Sequence, residues 1–162
     1  MSKSEHQLRV EEFMDKAGQM RHTIPTVPPA KVCILGARLI LEEALETIAA
    51  LGVNVELHYP AINRDGLPLV FDRCQFIERG SDAKKKVSVE EIADGCGDVR
   101  VVSTWVLSAC GVHDNELMDE IDGNNLAKFG PGSSISPEGK LTKPPGHQPP
   151  DIARVLRDQG SR

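Results

Sequence analysis

The chain has 162 residues and a net charge of −5, with a single Trp and a single Tyr. This length suits one domain, over residues 1–162, that buries about two-thirds of its unfolded surface. An acidic chain without a basic stripe argues against nucleic acid as a partner. The start, MSKSEHQLRVEEFM, is polar, and no run of 18 apolar residues follows it. We therefore expect no signal peptide, no membrane partner and a cytoplasmic protein.

The first part of the chain predicts two helices separated by a proline-rich arm. Residues 6–16 have an amphipathic pattern that stops at Ala17-Gly18. Three prolines exclude a helix over residues 19–29, so this arm is ordered only if it lies on another element. Residues 30–51 form the strongest predicted helix, and Gly52 is in the position that commonly ends one.

The middle of the chain changes from helical to β-like patterns and back. We interpret residues 53–80 as an inserted hairpin, because two β-like runs flank a turn signal at Asp65-Gly66. A capping-box pattern then opens a long helix over residues 89–110. Gly95 and Gly97 weaken this helix, which suggests that something approaches its backbone closely.

The last third predicts one more medium helix, from residue 113 to about residue 129. A loop or small hairpin follows over residues 130–150, around Glu138-Gly139, and a short helix over residues 151–158 ends the pattern. The predicted fold class is therefore all-α, a helical bundle with a small β excursion.

Acidic side chains on the two long helices are the strongest functional signal. Their members are Glu42, Glu43, Glu46, Asp94 and Asp98. An α-helix turns about 100° per residue, so Glu43 and Glu46 lie about 60° apart, and Asp94 and Asp98 about 40° apart. Unpaired carboxylates within such apolar helices are costly to desolvate and repel one another. A hard divalent cation removes both costs, so the pattern predicts a Mg²⁺-type site between helices.

The motif EExxE at Glu42, Glu43 and Glu46, followed by Asp98, resembles the MazG-like all-α NTP pyrophosphohydrolases. This superfamily includes MazG, the all-α dUTPases and dCTPases, and phosphoribosyl-ATP pyrophosphohydrolase. Its second motif, ExxD, is absent here, because Gly95 stands three residues before Asp98. The segment DGCGD, from Asp94 to Asp98, is instead similar to the DGxxD form of phage-encoded members. The role of Glu91, on the same stripe, stays open between metal support, general base and surface charge.

The resemblance continues downstream of the carboxylates. The segment DGNNLAK is similar to the family's HxxNxxK, which favours Asn125 over Asn124 and matches Lys128. The segment KPPGHQPP, with Lys143 and His147, is similar to the part that closes over the nucleotide, so residues 130–150 form the expected closing loop. Gln19 precedes the proline-rich arm, which resembles the family segment that lines the base pocket.

The resemblance implies hydrolysis of nucleoside triphosphates to monophosphate and pyrophosphate with Mg²⁺, or Mn²⁺ in its place. By resemblance, Glu43, Glu46, Asp94 and Asp98 bind metal, and Glu42 is the expected general base. The expected substrate-binding residues are Gln19, Asn125, Lys128, Lys143 and His147. Gln19 is alternatively a polar loop residue and His147 an exposed one, while core packing is favoured over base stacking for Trp105.

The base of the substrate is left open by the sequence. Some phage relatives hydrolyse dGTP and dATP and supply dGMP for 2-aminoadenine DNA, and others act on dUTP or dCTP. The scarcity of aromatic residues in this chain favours purines. Such an enzyme would act in the host cytoplasm, as a homodimer or homotetramer like the family. The alternative from another class is a non-catalytic helical regulator, which the absence of ExxD favours. Phosphoribosyl-ATP hydrolysis is disfavoured by the 53–80 insertion.

Overall fold

The computed structural model describes residues 2–57, 74–79, 86–137, 139 and 141–160. Over these residues it is mostly helical, with small two-stranded sheets, as the sequence predicts. The elements in chain order are α1 (Glu5–Lys16), α2 (Ala30–Ala50), β1 (Val53–Leu57), β2 (Cys74–Glu78), α3 (Val89–Ala109), α4 (Asp114–Leu126), β3 (Ser134–Ile135), β4 (Leu141–Thr142) and α5 (Ile152–Asp158). No helix in these ranges is long and apolar enough to cross a membrane.

The chain divides into two compact units. The terminal unit comprises residues 1–34 and 103–162, and the central unit comprises residues 35–102. Helices α2 and α3 contribute residues to both units. The expectation of one domain over residues 1–162 stays a prediction.

The core of the terminal unit forms where α1 packs on the last turns of α3. Val10 and Met14 of α1 are buried against Trp105 and Ala109 of α3. Their i, i+4 spacing on each helix places each pair on one face. Trp105 is only 6% exposed, so the prediction that it packs in the core is confirmed.

A buried glutamine fastens α1 to the start of α4. Gln7 is completely buried, and its Nε2 donates to Ser108 Oγ at 3.1 Å and to the Val112 carbonyl at 2.7 Å. Its Oε1 accepts from the backbone N–H of Asp114 at 2.9 Å. The amide thus satisfies backbone groups that burial would otherwise leave without partners.

The proline-rich arm lies along the end of α3, which is the support on another element that the sequence led us to expect. The N–H of His22 donates to the Ala109 carbonyl at 3.3 Å, and that of Thr26 donates to the Cys110 carbonyl at 2.9 Å. Gly111 has φ +72°, and a Cβ there would lie 2.4 Å from the Ile24 carbonyl oxygen. Only glycine therefore lets α3 end with the arm so close.

The strand pair of the central unit follows directly from the end of α2. Gly52, with φ +76°, turns the chain from the helix into β1. The two strands are antiparallel, from Val53 opposite Glu78 to Leu57 opposite Cys74. This pairing agrees with the predicted hairpin, whose turn at Asp65-Gly66 lies outside the described residues.

The tail forms the small hairpin that the sequence allowed. Ser134 pairs with Thr142, and Ile135 pairs with Leu141. Glu138, in the predicted turn, lies outside the described residues. Asp151 then caps α5 by accepting from the N–H of Arg154 at 2.9 Å.

Candidate functional site

The acidic residues of both helices lie in the central unit. Glu42, Glu43 and Glu46 occupy the last three turns of α2, and Asp94 and Asp98 lie in the first half of α3. Glu43 is half-buried and the other four are exposed. The negative charges of all four other residues raise the pKa of Glu43, so the structure brings the predicted carboxylates together.

A close approach of the two helices positions these side chains. A Cβ on Gly95 would lie 2.7 Å from Thr47 Oγ1 and 3.1 Å from Thr47 Cα, so α3 lies almost directly on α2 there. Thr47 Oγ1 donates to the Glu43 carbonyl at 2.7 Å, which keeps the hydroxyl within its own helix. The prediction of a close neighbour is therefore confirmed at Gly95. At Gly97 no described atom lies within 4 Å of such a Cβ, so the prediction does not hold there.

The electrostatics of the cluster centre on Glu43. Desolvation raises the pKa of Glu43 above its ordinary value, and the negative charges of Asp98, Glu46, Glu42 and Asp94 raise it further. Both effects disfavour the ionised carboxylate. A bound cation would reverse the effect of the neighbours, because the same carboxylates would then be neutralised by its charge.

A cavity of about 450 Å³ opens beside the cluster. Its described lining residues, all of the central unit, are Glu46, Ala49, Ala50, Arg79, Glu91, Asp94, Gly95 and Asp98. Glu91 is therefore part of the cavity wall. Arg79 is a residue that sequence reasoning missed, because it follows β2 and reaches this wall only through the strand pairing.

The donor atoms at this site are all carboxylate oxygens, the type that Mg²⁺ prefers. As placed, no three His, Cys, Asp or Glu residues in the described ranges are close enough to hold a metal ion together. Metal binding would therefore require the exposed side chains to rotate inward. The donor chemistry fits Mg²⁺, and exposed carboxylate side chains can change rotamer while their helices stay in place.

The residues expected on the phosphate side belong to the terminal unit. Lys128 Nζ donates to Asn125 Oδ1, one helical turn away. Lys143 is exposed at the start of the KPPGHQPP segment. Their approach to the acidic cavity stays a prediction.

Asn124 holds the KPPGHQPP segment in place. Its Nδ2 donates to the Gln148 carbonyl at 2.8 Å, and its Oδ1 lies 3.2 Å from His147 Nε2. His147 is half-buried, and its predicted contact with the nucleoside stays a prediction. The neighbouring Asn125 is exposed, so the two asparagines have different surroundings.

Gln19 has a structural partner. Its Oε1 accepts from the Trp105 indole N–H at 2.8 Å, which satisfies the donor of a buried tryptophan. The predicted contact of Gln19 with a base stays a prediction.

The comparisons with known proteins add no relative to this picture. No family model matches the chain, and no curated protein matches it. The resemblance to the MazG-like pyrophosphohydrolases therefore depends on the motifs EExxE, DGxxD, NNLAK and KPPG and on the grouping of the carboxylates.

Proposed function

We propose that the chain is a Mg²⁺-dependent pyrophosphohydrolase of (deoxy)nucleoside triphosphates. The single observation that supports it best is the crowding of four carboxylates around Glu43, beside a cavity, with its pKa raised. Four acidic neighbours that raise the pKa of Glu43 are explained if a cation binds the group. Mg²⁺ is the biological cation that suits carboxylate oxygens and also accompanies nucleoside triphosphates.

The proposed roles of the carboxylates follow from this arrangement. Glu43, Glu46, Asp94 and Asp98 hold the metal, and Glu42, at the rim of the cluster, accepts the proton of the attacking water. The metal, when bound, polarises the phosphate oxygens and makes the water more acidic. Glu42 suits the role of base because it is exposed to solvent and one residue from the metal set.

The proposed phosphate side consists of Asn125, Lys128 and Lys143, with His147 and Gln19 toward the nucleoside. Lysine ammonium groups would stabilise the charge that develops on the leaving pyrophosphate. The hydrogen bond from Asn124 to the Gln148 carbonyl gives the KPPGHQPP segment a defined position beside α4.

For the base, we propose dGTP or dATP, and dUTP or dCTP as the alternative. Trp105 is buried in the core, so it offers no exposed ring for stacking on a small pyrimidine. A phage nucleotide-pool enzyme that supplies dGMP for 2-aminoadenine DNA is the specific form of the proposal.

A homodimer or homotetramer is part of the proposal. Leu41 and Leu45 are 54% and 44% exposed, on the side of α2 opposite Glu43 and Glu46. Exposed leucines side by side on a long helix form an apolar surface, which a second copy of the chain would cover in the proposed oligomer. Sedimentation at several concentrations tests this.

The second candidate is a non-catalytic helical regulator. The observations that favour it are Gly95 in place of the family's glutamate and the absence of a preformed metal group in the described ranges. Under this alternative, the cluster has no cation to bind, and removing a carboxylate only relieves repulsion.

The deciding experiment is a panel of all eight NTPs and dNTPs with Mg²⁺ or Mn²⁺, measured by pyrophosphate release. Glu46→Ala and Asp98→Ala are compared with Asp119→Ala, an exposed acid on α4. The enzyme proposal expects the first two to lose activity and the Mg²⁺-induced rise in Tm, and the third to keep both. A wild-type protein that releases pyrophosphate from no nucleotide, and whose Glu46→Ala variant is more stable, would support the regulator instead.

A further inference from the structure

The wall of the acidic cavity contains a positively charged side chain, that of Arg79. Among the described residues that line it, Arg79 alone is positively charged, opposite the carboxylates of Glu46, Glu91, Asp94 and Asp98. Arg79 follows β2 directly, so it belongs to the strand pair that interrupts the helical pattern.

The position of Arg79 is fixed by two hydrogen bonds to the end of α2. Its backbone N–H donates to the Gly52 carbonyl at 2.7 Å. Its Nη2 donates at 3.1 Å to the Ala49 carbonyl near the end of α2, which also accepts from the N–H of Gly52 at 3.0 Å. The negative end of the helix dipole also favours a guanidinium there. The side chain is therefore held at the cavity wall by the helix.

Arg79 is not consumed by the carboxylates around it. Within the described part of the chain, its side chain bonds the Ala49 carbonyl and forms no ion pair with an acid. That bond uses one of the five N–H donors of a guanidinium. An arginine that served only to neutralise the cluster would be expected to form a two-pronged bond with a carboxylate.

We propose that Arg79 binds the phosphate chain of the nucleoside triphosphate in this cavity; the inference rests on the proposed function. With the carboxylates committed to metal, the remaining guanidinium N–H groups present a fork to two phosphate oxygens. This geometry distinguishes a polyphosphate from a single point charge. It also gives the strand pair of the 53–80 insertion a task, which is to carry a substrate-binding cation to an otherwise acidic wall.

The test compares Arg79→Gln with Arg79→Lys and with the control Arg100→Gln. A glutamine removes both the charge and the fork, while Arg100 is exposed on α3 and is not among the described lining residues. The measurements are KM and kcat for pyrophosphate release, and the Kd of inorganic pyrophosphate with Mg²⁺ by calorimetry. For Arg79→Gln we expect KM and this Kd to rise about 10- to 100-fold, with a smaller change in kcat. Arg100→Gln should match the wild type.

Arg79→Lys guards against unfolding of the glutamine variant. It keeps the charge and loses the fork, so its KM should rise less than that of Arg79→Gln while its Tm stays near that of the wild type. If folded Arg79→Gln had the wild-type KM and bound Mg²⁺ more tightly, Arg79 would be only a counter-ion of the carboxylates. A wild-type KM in Arg79→Lys would show that the fork is not needed. Either result would overturn this inference and leave the proposed function standing. A wild-type protein that hydrolyses no nucleotide would overturn the proposed function, and the inference with it.

Discussion

An alanine in place of Gly95 tests the helix contact on which the acidic site depends. The new Cβ would lie 2.7 Å from Thr47 Oγ1, 3.1 Å from Thr47 Cα and 3.2 Å from Thr47 Cβ. Because one of these atoms is backbone, a rotation of the threonine cannot relieve the clash, and α2 or α3 must move. Gly97 lies two residues further on the same helix, and a Cβ there meets no described atom within 4 Å. Gly97→Ala is therefore the matched control.

The expected magnitude comes from two opposing contributions. Both substitutions gain about 1 kcal/mol of helix propensity, since both replace a helical glycine by alanine. Gly95→Ala also incurs an overpacking cost of about 1–3 kcal/mol. The propensity gain cancels in the difference between the variants, so Gly97→Ala should be more stable than Gly95→Ala by about 1–3 kcal/mol. Urea unfolding followed by far-ultraviolet circular dichroism in metal-free buffer measures it, provided that the m-values agree.

The same displacement should change function. If α3 moves away from Thr47, Asp94 and Asp98 move away from Glu43, so pyrophosphate release should fall in Gly95→Ala and not in Gly97→Ala. Equal stabilities for the two variants, or a more stable Gly95→Ala, would refute the close approach. Gly95→Glu, which introduces the ExxD spacing, should likewise lose stability instead of gaining activity.

Three further predictions concern single side chains. The raised pKa of Glu43 means that folding favours its protonated form, so its contribution to stability is present at low pH and is lost as pH rises through its folded pKa. In metal-free buffer, the Tm of Glu43→Gln minus that of the wild type should therefore rise between about pH 4 and pH 7. Saturating Mg²⁺ should reduce this Tm difference. A Tm difference that does not change with pH would contradict the crowding of carboxylates around Glu43. Gln7→Ala leaves backbone groups at Val112 and Asp114 without partners and should cost about 2–4 kcal/mol in urea unfolding; a cost below about 1 kcal/mol would show that these groups find other partners. Asn124→Ala should speed amide hydrogen exchange over residues 143–150, and Asn125→Ala should not; equal exchange in both would refute the anchor.

The helices were predictable because their signals are local. The apolar pattern over residues 30–51 became α2, Ala30–Ala50, and Gly52 ends it with φ +76° as its position indicated. The predicted helix over residues 89–110 likewise became α3, Val89–Ala109, and Gly111 just beyond it has φ +72°. Helix periodicity and glycine stops involve only neighbouring residues, so one sequence suffices to find them.

The residues that the sequence did not reveal are positioned by contacts between distant segments. Arg79 reaches the cavity because β2 pairs with β1 and its N–H bonds Gly52, and no periodic pattern marks such a pairing. Gly95 and Gly97 are equivalent as letters, yet they lie about 200° apart around α3. Only the face of Gly95 meets α2, and the sequence does not state which face that is.

The close contact between α2 and α3 leaves no room at position 95 for the glutamate of an ExxD motif. A glutamate at position 95 requires the space that Thr47 occupies, because even its Cβ would lie 2.7 Å from Thr47 Oγ1. Glycine at this position lets α3 approach α2, and Asp94, one residue earlier, lines the acidic cavity. If the chain is a member of the family, as proposed, its DGxxD segment combines close helix backbones with an aspartate where the family has a glutamate. It follows that a glutamate at position 95 is compatible with this site only if the residue at position 47 is smaller than threonine and the helices are further apart.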